Sequence, residues 1–331
     1  MSRSGLSRPA ERARLPQGVR LRQAEPSDLP ACARIWREGI NDYLRRLNQR
    51  EVPDDLAAIT RLHAHLFETD PATFLVAVRA GKAGGADGGA GSERVIAFGA
   101  ANRRDDVWFL SMLFVKPGEQ GAGVGRALLE RIMPADGDPA LGTATDSQQP
   151  ISNALYAAYG IVPRMPLLSF VGRPSDPGAF GALPAGVAAV PFEEVAAGDH
   201  RELAAAVDEL DREIAGFAHP QDHRFLRLEG RRGFLFRQGA RALGYGYAGE
   251  SGRVGPIAVR DEALVAPVLG HVLTAVEPRG ASALWVPGLA DRAIVPLLKA
   301  GFWLDQFPVL LCWTRPFADF RRYVPISPGL L

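Results

Sequence analysis

The stretch Gln120-Gly121-Ala122-Gly123-Val124-Gly125-Arg126 decides how the N-terminal half of this chain is interpreted. It follows an apolar run, Val107 to Val115, whose residues favour a β-strand and which Pro117 ends. The residues after the glycines, Val124 to Ile132, have helical spacing. The sequence therefore predicts a buried strand, a glycine turn and a helix in succession.

A turn of this kind is suited to binding an anion. Successive backbone N–H groups and the dipole of the following helix converge on one point there, which favours a pyrophosphate. A Cβ atom at Gly123 or Gly125 would hold the phosphates away from the backbone, whereas Gly121 is less constrained by this argument. We therefore expect residues 120–126 to bind phosphate.

Two well-known phosphate motifs fit this turn poorly. The Walker type is excluded because no Gly-Lys-Ser/Thr follows the glycines. The dinucleotide type needs glycines directly after the strand, but Lys116 to Gln120 intervene and the third glycine position holds Arg126 or Leu128. Asp146, about 20 residues further on, keeps the dinucleotide interpretation open.

The pattern Val115-x-Pro117-x-x-Gln120-x-x-Gly123-x-Gly125 resembles the Q/R-x-x-G-x-G/A signature of the GNAT superfamily of N-acetyltransferases, which follows a V-x-P strand end. Downstream, residues 155–161, with Tyr156 and Gly160, are similar to that family's F-Y-x-x-x-G-F motif. Ile161 departs from it by replacing the usual aromatic residue, and Gln149 stands where the family often has asparagine.

The resemblance implies an acetyltransferase that uses acetyl-CoA as cosubstrate and moves the acetyl or a short acyl group directly to an amine, in a ternary complex. Residues 120–126 would hold the pyrophosphate, and backbone groups of Leu113 and Val115 would flank the pantetheine arm. Tyr156 would protonate the CoA thiolate. The acceptor would be a small-molecule or peptide amine, and the general base is left open among Asp105, Asp106 and Asp146.

The second half of the chain repeats the spacing of the first. Ile257-Ala258-Val259 parallels Leu113-Phe114-Val115, and the closing strand from Pro166 has a counterpart from Pro308. This predicts a diverged tandem repeat of an α/β fold with mixed sheets. We expect a disordered basic tail at 1–17, a catalytic GNAT domain at 18–172, a linker rich in proline and glycine at 173–185, a degenerate GNAT-like domain at 186–316 and a C-terminal tail at 317–331 that frays.

The second copy lacks the chemistry of the first. Residues 264–269 occupy the place of the glycine turn without a glycine, and Pro267 stands where an amide donor is needed. Leu297 stands in the place of Tyr156. We expect this half to be inactive and structural.

Composition excludes several classes of protein. Hydrophobic residues make up 47% of the chain and charged residues 23%, as in globular proteins. The 38 Lys and Arg nearly balance the 37 Asp and Glu, which argues against nucleic-acid or membrane partners. The two cysteines, Cys32 and Cys312, suggest neither a disulfide framework nor a zinc knuckle, so we expect a cytoplasmic protein. Homodimer formation is left open.

Histidines offer one further candidate site, which the sequence argues against. His219 and His223, with Asp222, have the i, i+4 spacing of helical metal ligands, but Pro220 disturbs a helix there and no third ligand is evident. They are predicted to be surface polar residues, and no metal is expected.

Two other functions fit the same residues. A CoA-sensing or scaffold protein could retain the phosphate turn without turnover. A thiol-precursor acetyltransferase of the mycothiol type also has tandem domains, although its active copy usually lies C-terminally.

Overall fold

The computed structural model describes residues 13–81 and 93–331 and divides the chain into two compact units. The first unit comprises the residues up to 103 together with 108–139. The second comprises 104–107 together with 140–331. The glycine-rich segment 82–92 and most of the predicted basic tail lie outside the described residues.

The first unit consists of an antiparallel sheet and the helices that cover it. Its described elements are β1 (Val19–Gln23), α1 (Leu29–Arg46), α2 (Ala57–Thr69), β2 (Phe74–Ala80), β3 (Glu93–Arg104), β4 (Val107–Val115) and α3 (Val124–Ile132). The strands lie in the order β1-β2-β3-β4.

The core of this unit follows from its apolar pattern. The first five residues of β2, from Phe74 to Val78, are buried because both faces of the strand are covered. Helix α3 buries Leu128, Leu129 and Ile132. A Cβ at Gly99 in β3 would lie 2.6 Å from the Cδ1 atom of Ile132, so glycine allows α3 to approach the sheet closely.

Residues 13–17, predicted to belong to a disordered tail, have a defined position in the first unit. The Ala13 amide donates to the Glu130 carboxylate on α3 at 2.8 Å, and the Val19 amide donates to the Pro16 carbonyl at 3.1 Å. The prediction is therefore wrong for these five residues, because the bond from Ala13 to Glu130 attaches the segment to α3 and the bond from Val19 to Pro16 closes a turn before β1.

The second unit contains the remaining elements. These are β5 (Ala140–Asp146), α4 (Pro150–Ala157), β6 (Val162–Gly172), β7 (Val187–Pro191), α5 (Phe192–Ile214, kinked at Asp199), α6 (Pro220–Leu228), β8 (Arg231–Gln238), β9 (Arg241–Gly249), β10 (Val254–Val259), α7 (Val265–Ala275), β11 (Ser282–Pro287), α8 (Asp291–Lys299), β12 (Trp303–Leu304), β13 (Val309–Trp313) and β14 (Tyr323–Val324).

The order of elements repeats along the chain. From β1 to β6 it is β-α-α-β-β-β-α-β-α-β, and from β7 to β12 it is the same. Strands β7 to β10 form a second antiparallel sheet in the order β14-β10-β9-β8-β7, which corresponds to the sheet of β1 to β4 with one strand added. The prediction of a tandem mixed α/β fold is confirmed.

The two repeats exchange their closing strands within the second unit. Strand β13, from the second repeat, lies between β5 and the first part of β6 and pairs antiparallel with both. The last part of β6, from the first repeat, lies between β11 and β12. Each repeat therefore completes its sheet with a strand of the other, so the compact units do not coincide with the predicted domain boundary at 173–185.

The predicted linker is a packed segment. Phe180 is 2% exposed and belongs to the core of the second unit, where a Cβ at Gly270 would lie 2.5 Å from the Phe180 Cβ. The Ser175 amide donates to the Ala300 carbonyl at 2.8 Å. The expectation that this segment has little to bury is wrong, because its single aromatic residue fills a gap beside α7.

The C-terminal segment is also packed, whereas a frayed end was expected. Strand β14 pairs antiparallel with β10, and Tyr323, Ile326 and Leu330 are buried. The apolar side chains that follow Phe320 explain this, since exposing them would cost free energy. Within the described residues, no helix combines the length and apolar character needed to cross a membrane.

Candidate functional site

The glycine turn lies in the first unit, between the end of β4 and the start of α3. Gln120, Gly121 and Ala122 are exposed to solvent. Val124, by contrast, is only 1% exposed, and its buried side chain anchors the first turn of the helix. The first intrahelical hydrogen bond runs from the Ala127 amide to the Gly123 carbonyl at 3.0 Å. The amides that precede this bond lie at the N-terminus of the helix, the end that favours an anion.

The backbone of the turn requires glycine at two of the predicted positions. Gly121 and Gly123 both have φ of +81°, a left-handed conformation that residues with a Cβ rarely adopt. Gly125 has an ordinary helical conformation, and a Cβ there would lie 3.3 Å from the Val115 Cγ2 atom. Gly125 therefore allows the helix to pack closely on β4, a reason that the sequence did not indicate.

Polar contacts hold the turn in this conformation. The Glu119 carboxylate forms ion pairs with Arg79 at 2.6 Å and Arg94 at 3.1 Å, which attach the turn to β2 and β3. The Gln120 side-chain amide donates to the Val115 carbonyl at 3.0 Å. These contacts order the turn before any ligand binds, which reduces the entropic cost of binding.

Strand β4 presents Leu113 and Val115 at its C-terminal end, and both are partly buried. Leu113 contacts the first sheet, since a Cβ at Gly99 would lie 3.2 Å from its Cδ1 atom. The backbone carbonyl of Val115 accepts the hydrogen bond from Gln120. Arg126 on α3 forms an i, i+4 ion pair with Glu130 at 3.0 Å, so its guanidinium lies along the helix surface.

Tyr156 lies in the second unit, near the end of α4, and is 5% exposed. Burial raises the pKa of its hydroxyl above the ordinary value, and a hydrogen bond with Ser152 opposes that shift. The phenol is consequently protonated at neutral pH, which is the state that a proton donor requires. The Tyr156 carbonyl accepts from the Ile161 amide at 3.1 Å, which closes the helix.

The three carboxylates left open as general bases have different surroundings in the second unit. The Asp105 carboxylate accepts from the Ala218 amide at 2.9 Å and lies 3.5 Å from Arg212. The Asp146 carboxylate accepts from the Gln148 amide at 2.9 Å, as in an ordinary turn. The backbone carbonyl of Asp106 accepts from the Ala140 amide at 2.7 Å. These contacts do not select a base.

The equivalent turn of the second repeat is closed to an anion. The Asp261 carboxylate accepts from the Ala263 amide at 2.9 Å and caps the short helix before α7. A carboxylate therefore occupies the place where phosphate would have to bind. Pro267 and Leu297 are buried within the helices α7 and α8.

The histidines that were predicted to be surface polar residues form a buried cluster in the second unit. His219 and Asp211 are completely buried, and His223 is 3% exposed. Pro220 does not disturb the helix, because it occupies the first turn of α6, where proline is tolerated. The third group that could hold a metal ion is Asp211, which lies on α5 eight residues before His219. That separation explains why local spacing did not show it.

Charges in this cluster are nearly balanced. Arg104 binds both oxygens of Asp222, at 3.0 and 3.1 Å. Burial alone would lower the pKa of His219, but the carboxylates of Asp211 and Asp222 raise it to about 10. Burial and the neighbouring His219 lower the pKa of His223.

Comparison with known proteins gives a family match for the N-terminal half. Residues 36–161 match the sequence profile of the acetyltransferase (GNAT) family. This range contains β4, the glycine turn, α3 and Tyr156. No curated protein sequence matches the chain.

Solved structures resemble the whole chain. A protein from Pyrococcus horikoshii that is provisionally described as an acetyltransferase has a TM-score of 0.71 at 14% identity, with 98% of this chain and 100% of that one covered. A GCN5-related N-acetyltransferase from Sphaerobacter thermophilus has a TM-score of 0.57 at 19% identity, over 92% and 99% of the two chains.

A tandem GNAT protein from the clavulanic acid biosynthesis pathway has a TM-score of 0.50 at 18% identity, over 90% of this chain and 99% of that one. At these low sequence identities, the similarity to solved structures concerns the fold alone. The shared fold is the arrangement of two repeats described above. The family match and the shared fold support an acyl-transfer function. Residues 36–161 are therefore similar to the acetyltransferase (GNAT) family, and the chain as a whole shares the fold of these solved structures.

Proposed function

We propose that this protein transfers an acetyl or short acyl group from CoA directly to an amine, and that its working site belongs to the first repeat. The observation that carries the proposal is the turn of residues 120–126, which has left-handed glycines at 121 and 123 before the N-terminus of α3. Such a turn favours a pyrophosphate such as that of CoA. The family match over the same residues supports this ligand.

Within this proposal each residue has a separate task. The amides of residues 121–126 bind the pyrophosphate, together with the dipole of α3. The backbone of Leu113 and Val115 flanks the pantetheine arm. Tyr156 donates its proton to the departing CoA thiolate while the amine forms the new bond to the acyl carbon. A general base, taken from a carboxylate or a water molecule, removes the proton from the amine.

Calorimetry with acetyl-CoA tests the binding part of the proposal. Gly123→Glu places a side chain and a negative charge in the turn, so we expect it to abolish binding that the unmodified protein shows. Gly239→Glu is the matched control, because Gly239 also has positive φ and lies on the open β8–β9 hairpin, where a Cβ meets no atom within 4 Å.

The number of binding sites is part of the same test. Because Asp261 caps the equivalent turn in the second repeat, we expect one acetyl-CoA per chain. Binding that survives Gly123→Glu, or two equivalent sites, would contradict the assignment to the first repeat. Absence of binding in all three proteins would overturn the proposed function.

A second candidate is a protein that senses CoA without turning it over. The burial of Tyr156 favours this candidate, since a proton donor has to reach the thiolate. Once binding is established, release of free CoA in the presence of a panel of amines separates the two, because only the transferase produces it.

A further inference from the structure

The cluster of Asp211, His219 and His223 has the arrangement of a metal site. We propose that these three residues bind a divalent transition-metal ion, with Zn²⁺ as the ion that suits their ligand atoms. The site lies in the second repeat, and the proposal does not depend on the acyl transfer proposed for the first.

The ligand atoms converge on one point. Nε2 of His219 lies 3.3 Å from Oδ2 of Asp211, and Nε2 of His223 lies 2.9 Å from the same oxygen. The three ligand atoms all lie within 4.8 Å of one another. Ligands bound to tetrahedral Zn²⁺ at about 2.0 to 2.1 Å are separated by about 3.3 Å. The two distances to the Asp211 oxygen are close to that separation.

His219 shows that the cluster is incomplete as a hydrogen-bond network. In the described part of the chain, neither of its ring nitrogens makes a hydrogen bond of acceptable geometry, although the side chain is completely buried. Buried polar groups normally have partners, because an unsatisfied one loses its interactions with water. A metal ion between the three residues would give Nε2 a ligand bond in place of its poorly aligned contact with Asp211.

The outer ring nitrogens face groups that orient metal-bound histidines. Nδ1 of His223 lies 2.9 Å from the Tyr247 hydroxyl. Nδ1 of His219 lies 3.6 Å from the Asp222 carboxylate, which Arg104 holds in place. The second oxygen of Asp211 accepts from the Tyr245 hydroxyl at 2.5 Å. Contacts of this kind set the tautomer and direction of each ligand.

A cavity borders the cluster at His223. A cavity of about 410 Å³ between α5, α6 and β8 is lined by His223, Asp208 and Arg227, among other residues. Three protein ligands leave a tetrahedral ion with one open position, which a water molecule or a small ligand can fill. The ion would tie α5 to α6 and, through the tyrosines, to β9.

The test begins with metal analysis of the untagged full-length protein, purified without chelator. We expect about one zinc per chain, and a cobalt-substituted sample should show the visible d–d absorption of a tetrahedral site. Exhaustive dialysis against a chelator followed by calorimetric titration with Zn²⁺ should recover one tight site. Addition of Zn²⁺ to the metal-free protein should raise its melting temperature.

Variants separate this site from adventitious binding by surface histidines. His219→Ala and His223→Ala should abolish stoichiometric binding, whereas His200→Ala, at an exposed histidine on α5, should leave it unchanged. Tyr247→Phe keeps the three ligands and should weaken binding about tenfold, so it tests the site even if the histidine variants do not fold.

Three results would overturn the proposal. One is a folded, unmodified protein that neither carries a transition metal nor binds Zn²⁺ stoichiometrically. Another is Zn²⁺ binding that the folded His219 and His223 variants retain. The third applies if the histidine variants do not fold. It is a Zn²⁺ affinity of Tyr247→Phe that equals the affinity of the unmodified protein. If the purified protein contains iron instead of zinc, the metal site is confirmed but the proposed ion is wrong. Two histidines and a carboxylate also suit Fe²⁺.

Discussion

At the scale of single residues, Tyr156 carries the chemical part of the proposed function. Its side chain is buried, and burial raises the pKa of its hydroxyl, so the phenol is protonated at neutral pH. Tyr159, three residues further along the chain, is also buried. The pair allows the role of the hydroxyl on α4 to be tested against that of another in the turn directly after this helix.

We expect Tyr156→Phe to lower the rate of acyl transfer by about 100-fold, the effect of losing a general acid, with acetyl-CoA affinity unchanged. Tyr159→Phe is the matched control and should retain most of the rate. Steady-state release of CoA measures both. A full rate in Tyr156→Phe, or a loss confined to Tyr159→Phe, would show that the acid is assigned to the wrong residue.

His63 is a second residue with a measurable consequence. Its ring lies edge-on to Phe98, with centroids 5.0 Å apart, and burial lowers its pKa to about 3. The unfolded chain binds a proton at His63 below about pH 6.5, whereas the folded chain does not. Its contribution to stability is therefore fully present above pH 6.5 and is lost as the pH falls toward 3.

Between pH 7 and pH 5, His63 should account for about 2 kcal/mol of lost unfolding free energy. His63→Leu removes the titrating group and keeps an apolar side chain of similar size, so its stability should fall less over this range. Urea unfolding of both proteins at the two pH values measures the difference. Parallel losses in the two proteins would contradict the assignment.

At the scale of elements, strand β13 completes the sheet of the other repeat. It pairs with β5 through Leu311 and Ala144 and with β6 through Leu311 and Met165. Leu311 is 1% exposed, whereas its neighbour Leu310 is only partly buried. If β13 is buried as described, removing the side chain of Leu311 should lower the unfolding free energy more than removing that of Leu310.

Leu311→Ala should destabilise the protein by about 3 kcal/mol, because it removes buried methyl groups and leaves a cavity. Leu310→Ala makes the same chemical change on the opposite face of the strand and should cost about 1 kcal/mol or less. Urea unfolding compares them. Equal losses of unfolding free energy in the two variants would contradict the position described for β13.

At the scale of the whole molecule, the exchange of closing strands makes the two repeats interdependent. The first repeat contributes β6 to the second, and the second contributes β13 to the first. A fragment that lacks its borrowed strand would expose unpaired sheet edges, which favour aggregation. The tandem repeat therefore explains how each sheet is completed, as well as the length of the chain.

Division of the chain within the segment 173–185 tests this interdependence. We expect residues 1–176 and residues 177–331, expressed separately, to be insoluble or sensitive to protease. Expressed together, they should form a soluble complex, because each supplies the other's missing strand. A fragment 1–176 that folds cooperatively and binds acetyl-CoA alone would show that the exchange is dispensable.

The sequence by itself determined the features that depend on local periodicity and on glycine. The strand, turn and helix around residues 120–126 and the tandem repeat follow from spacing along the chain. These predictions succeed because a strand, a helix and a left-handed turn each require particular residue types at positions only a few residues apart. The assignment of Tyr156 rests on the family resemblance and stays a prediction.

Only the tertiary structure decided which distant segments meet. The exchange of β6 and β13, the burial of Phe180 and the pairing of β14 with β10 bring together residues that no local pattern connects. The cluster of His219 with Asp211 was missed for the same reason, because its members come from two helices. Burial and charge compensation depend on the surroundings of a residue in space, and a linear pattern does not contain them.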